Sequence, residues 1–100
     1  MSTVKREADI AQSKGTRVRI EATLERTPLR KGGAGHPATA LRLDDGTIVW
    51  VTYSDPPPGW DVFIGQRVVV EAVIWPGPPP GSKQAVIAPH ITDWSLPTRP

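Results

Sequence analysis

Residues 16–26 read TRVRIEATLER, and their pattern sets the fold class. Val18, Ile20, Ala22 and Leu24 take every second position, with Arg17, Arg19, Glu21, Thr23 and Glu25 between them. Strict alternation puts one set on each face of an extended chain, so this is a long strand with one face buried and one wet. Residues 38–53, ATALRLDDGTIVWVTY, read as a hairpin turning at Asp44-Asp45-Gly46. Residues 66–75, QRVVVEAVIW, are a fourth strand and residues 83–92, KQAVIAPHIT, a fifth. Strands without a convincing internal helix argue an all-β small barrel or sandwich.

The length of 100 residues makes one domain. A chain of this size buries roughly 60–70% of its unfolded surface, enough for one modest core. With 12 prolines and 9 glycines, its elements must be short and often interrupted. The apolar residues are too well patterned for a disordered chain. There is no cysteine, which removes disulfides and thiolate metal sites. The N-terminal stretch MSTVKREADIAQSKG has no apolar run of the secretory kind, and no membrane-length apolar segment occurs. A cytoplasmic protein with no membrane partner is the expectation.

The net charge of +2 is unevenly spread. Residues 1–31 hold eight cations and four acids, net +4, and residues 32–100 hold four cations and six acids, net −2. The chain therefore has a basic side. Part of that side is RTPLRKGGAGHP, residues 26–37, which joins the first two strands with three cations, no acid and three glycines. Glycines let a loop backbone approach a ligand closely.

The register of the hairpin decides which of its aromatics faces solvent. With Gly46 in a left-handed bulge position, Leu43 pairs with Thr47 and Leu41 with Val49. Leu41, Leu43, Val49, Val51 and Tyr53 then line the core, while Arg42, Ile48, Trp50 and Thr52 face outward. A two-residue Asp45-Gly46 turn would instead pair Leu41 with Trp50 and reverse the second arm. The bulge is preferred because it collects the aliphatic residues inside and leaves Arg42 wet. In SDPPPGWDVFIG, residues 54–65, a short turn around Trp60, Val62 and Phe63 is expected to plug the barrel, and Trp94 to pack back on its surface. Val4, Ala8 and Ala11 have helical spacing and Gly15 is placed to end that helix, the alternative being a disordered arm.

The long first strand, the glycine-rich loop, the glycine-turned hairpin and Gly65-Gln-Arg-Val68-Val-Val70 together resemble the OB-fold. RTPLRK followed by glycine and then His36-Pro37 resembles the corresponding connection of bacterial single-stranded-DNA-binding proteins of the primosomal replication protein N type. The resemblance covers about residues 16–92. It implies a five-stranded OB-like Greek-key barrel over residues 15–95, a short N-terminal helix or arm over 1–14, and a tail over 96–100. The tight Asp-Asp-Gly turn and the PPPG and PGPPPG connections depart from the family pattern.

An OB-fold of that kind binds single strands through stacked aromatics and cations that follow the phosphates. The resemblance therefore implies contacts from Arg30, Lys31 and His36 on the first loop and from Arg42 and Trp50 on the hairpin. Trp75 and Lys83 lie at either end of the loop between the last two strands, and in OB-folds these two loops flank the binding face. The expected ligand is single-stranded nucleic acid, DNA foremost, held with low sequence specificity. Catalysis is not expected: the two histidines, His36 and His90, have no metal-ligand spacing, Ser54-Asp55 has no nucleophile elbow, and no phosphate-binding Gly-Lys-Ser/Thr occurs. No cofactor is expected. The rival reading is a protein-interaction module or accessory subunit, with PGPPPG offered to a partner and assembly into a homo-oligomer open.

Overall fold

A computed structural model describes residues 1–28, 37–52, 54–77 and 89–100. The elements run in the order β1 (Thr3–Val4), α1 (Glu7–Ala11), β2 (Arg17–Pro28), β3 (Pro37–Arg42), β4 (Ile48–Thr52), a 3-10 turn (Asp61–Phe63), β5 (Arg67–Ile74) and β6 (Ile91–Thr92). Length lets β2 serve two antiparallel neighbours in succession, besides the short parallel β1. Its first part pairs antiparallel with β5, from Arg17 opposite Val73 to Thr23 opposite Arg67. Its second part pairs antiparallel with β3, from Thr23 opposite Arg42 to Pro28 opposite Pro37. The bend between them is pinned at Leu24, whose carbonyl accepts from Gly65 N–H at 2.7 Å and whose N–H donates to the Gln66 carbonyl at 3.0 Å.

The sheet runs β4-β3-β2-β5-β6. Its two ends meet where Trp50 pairs in parallel with His90, Trp50 N–H donating to the Pro89 carbonyl at 2.9 Å. The result is a nearly closed five-stranded barrel, the OB-like architecture expected from the sequence. Inward positions carry the aliphatic residues: Val18, Ile20, Ala22 and Leu24 from β2, Val68, Val70, Ala72 and Ile74 from β5, and Leu41, Val49, Val51 and Ile91 from the others, all buried.

The hairpin adopts the bulged register. Leu41 faces Val49 and Arg42 faces Ile48. Leu43 N–H donates to the Thr47 carbonyl at 2.8 Å, and Gly46 stands at φ +89°, the left-handed region that favours glycine. Leu43 and Val51 are buried with their neighbours; Tyr53 lies outside the described residues. Trp60 is the plug, 1% exposed, and meets Trp94 edge to face at 6.0 Å. The PPPG stretch positions it: Gly59 takes φ +87° and Trp60 N–H donates to the Pro57 carbonyl at 3.0 Å. Val62, by contrast, is exposed.

One expectation is corrected. Val4 belongs to no helix; it lies in β1, opposite Ile20 in a parallel pair with β2, and α1 buries Ile10 rather than Ala8 or Ala11. The cause is an edge: β3 covers β2 only from Thr23 onward, so the earlier backbone groups of β2 need another partner. Backbone hydrogen bonds also reach past residue 95, ending in an isolated antiparallel bridge. Ser95 N–H donates to the Glu71 carbonyl, and Val69 and Thr98 exchange N–H···O bonds of 2.7 and 2.9 Å. Of the expected fifth strand, Ile91 and Thr92 are strand, His90 bridges β4, and residues 83–88 lie outside the described part.

Candidate nucleic-acid interface

Because Val49 and Val51 point inward, Trp50 between them points outward, and it remains partly exposed. The same alternation turns His90 outward beside inward Ile91, and Trp75 outward beyond inward Ile74. Backbone pairing then sets the three rings side by side. Trp50 pairs with His90, and Trp75 N–H donates to the His90 carbonyl at 2.9 Å. The Trp75 and His90 rings stack, with centroids 4.5 Å apart and planes inclined by 22°. Trp50, His90 and Trp75 thus form one row across the seam that closes the barrel.

Of the expected site residues, Trp50 and Trp75 are brought together with His90 between them. Arg30, Lys31, His36 and Lys83 lie outside the described residues. Arg42 shares the outer face of the hairpin with Trp50, but its guanidinium is ion-paired with Glu25. Sequence reasoning missed His90, although its signal was present: alternation with Ile91 fixes its direction. It also missed Glu25, which stands opposite Ala40 while Ala40 stands opposite Trp50.

Three cations of the basic side have acidic partners. Arg26 meets Asp55 at 2.6 Å, Arg17 meets Asp93 at 3.5 Å, and Lys5 meets Glu21 at 3.6 Å. Arg67 grips Asp44 through two N–H···O bonds of 2.6 and 3.1 Å and also reaches Glu21. That grip holds the Asp44 carboxyl below its ordinary value of 3.8 and raises the Arg67 guanidinium further. Asp45 is lowered too, chiefly because Glu7 N–H donates to it at 2.9 Å. These pairs are exposed, and each contributes little alone.

A separate open groove of about 660 Å³ runs over the outer faces of β1, β2 and β5, lined by Lys5, Arg19, Glu21, Glu71, Leu96 and Arg99 among others. It mixes both signs of charge and contains no aromatic ring, so it does not suit stacked bases. Among the described residues, no three His, Asp or Glu side chains gather as metal ligands, and no helix is long and apolar enough to cross a membrane.

The chain matches no protein-family model, and neither curated proteins nor solved structures match it significantly.

Proposed function

We propose that this chain binds single-stranded nucleic acid, DNA foremost, without catalysis and with low sequence preference. The observation that carries the reading is the outward row Trp50–His90–Trp75 across the closing seam. Aromatic rings in line on a barrel face give successive bases surfaces to stack on, whatever their sequence. The loop cations Arg30, Lys31 and Lys83, with His36, are the proposed phosphate contacts, and the likeness of RTPLRK to single-stranded-DNA-binding proteins supports that assignment.

The test is fluorescence anisotropy of a labelled ~20-nucleotide oligo-dT with wild type, Trp50→Ala and Trp75→Ala. Each substitution is expected to weaken binding by about 1–3 kcal/mol while the circular dichroism spectrum stays unchanged. Unchanged affinity in both variants would remove the aromatic row from the site.

The second reading, a protein-docking subunit, is favoured by the internal ion pairs. Lys5, Arg17, Arg26, Arg42 and Arg67 all have acidic partners, which lowers the field available to phosphates. Absence of any oligo-dT binding at low salt would make that reading the leading one.

A further inference from the structure

The aromatic row does not stop at Trp50. Glu25 pairs with Ala40 across β2 and β3, and Ala40 with Trp50 across β3 and β4. Glu25, Ala40, Trp50, His90 and Trp75 therefore follow one another along the outer face. Neighbouring strands are about 4.8 Å apart, so roughly 10 Å separates Glu25 from Trp50. Ala40 is the strand position between them. Ala40 itself is covered by its neighbours, whereas Trp50 and Glu25 both keep part of their surface exposed, so the span between them is one that a base edge and a hydrogen bond together cover. The Glu25 side chain is 24% exposed and holds Arg42, 52% exposed and on the same face.

A carboxylate at this place repels the phosphates of a strand. Its favourable contact with nucleic acid is to accept N–H groups from a base edge. Guanine alone among the bases offers two adjacent N–H donors on its Watson–Crick edge, N1–H and N2–H, to match the two carboxylate oxygens. Beside them lies O6, an acceptor, which a guanidinium donor complements. Thymine places a single N–H between two acceptors, and cytosine and adenine offer one amino group beside an acceptor. Bonds to a charged carboxylate are the stronger kind, and two in parallel add directional selectivity.

We propose that Glu25 and Arg42 form a base-reading pair that prefers guanine at the position stacked on Trp50. The inference rests on the strand-binding reading and deepens it: binding is tolerant along the strand and selective at one base.

The experiment compares labelled ~20-nucleotide oligo-dT with a GT repeat of the same length, in lithium buffer to suppress guanine quadruplexes, using wild type, Glu25→Gln and Arg42→Gln. Wild type is expected to bind the GT repeat about ten-fold tighter than oligo-dT. In Glu25→Gln that ratio falls to about one while oligo-dT affinity holds or improves, because a negative charge has left the face. Arg42→Gln lowers the ratio as well. Equal wild-type affinities for the two oligonucleotides would overturn the base-reading role and leave strand binding standing. A parallel loss for both oligonucleotides in Glu25→Gln would show a structural ion pair and overturn it also. Binding of neither oligonucleotide by wild type would overturn this inference together with the reading beneath it.

Discussion

Trp60 shows how one side chain closes this fold. It is 1% exposed, packs edge to face on Trp94 and belongs to the main core. Trp60→Ala is expected to destabilise the barrel by about 3–5 kcal/mol, read from urea unfolding, because a buried indole leaves a cavity the strands cannot collapse into. A second residue-scale effect is electrostatic. Asp44 is held below 3.8 by Arg67, and a depressed carboxyl stabilises fully above its unfolded value. That contribution is lost as the pH falls below 3.8 through the folded value, as the folded state resists taking up the proton. Asp44→Asn should therefore unfold less steeply between about pH 4 and pH 2 than wild type, in a pH series of thermal melts. The pairing behind this was not legible in the sequence. Arg67 and Asp44 are 23 residues apart, and only the fold joins them.

At the scale of elements, the β3–β4 hairpin was legible because two local signals agree. The aliphatic alternation of Leu41, Leu43, Val49 and Val51 wants one face inward, and Gly46 supplies the left-handed residue that this register requires. Gly46→Ala meets no nearby atom, since nothing lies within 4 Å of the added Cβ. Its whole effect is backbone strain, an expected loss of about 1–2 kcal/mol by denaturant titration. Gly46→Asn should recover part of that loss, since asparagine tolerates the left-handed region. The N-terminal segment was misread for the opposite reason. Val4, Ala8 and Ala11 have helical spacing, but Val4 is claimed by the uncovered edge of β2, and a vacant edge is a tertiary fact. The trade leaves α1 only five residues, Glu7–Ala11, with Asp9 accepting from the N–H groups of Lys5 and Arg6.

At the scale of the whole molecule, closure of the barrel creates the candidate site. Trp50 was readable as outward-facing once the Gly46 bulge was chosen over the two-residue turn, and Trp75 was placed only at the end of the last loop, so nothing local says they share a row. That follows from β4 and the chain before β6 meeting in parallel at Trp50 and His90, residues 40 positions apart in numbering. The ion pairs of Lys5, Arg17 and Arg26 with distant acids also exist only at this scale, which is why composition alone overstated the unpaired charge of the basic side.

The central claim is that a strand lies on the seam and not elsewhere on the barrel. The most direct measurement is a two-dimensional NMR titration of the four indole N–H resonances with a ~20-nucleotide oligo-dT at low salt. The account predicts that Trp50 and Trp75 shift and saturate together while the buried Trp60 stays still. Silent indoles, or shifts confined to backbone amides of the groove between Arg19 and Glu71, would contradict it.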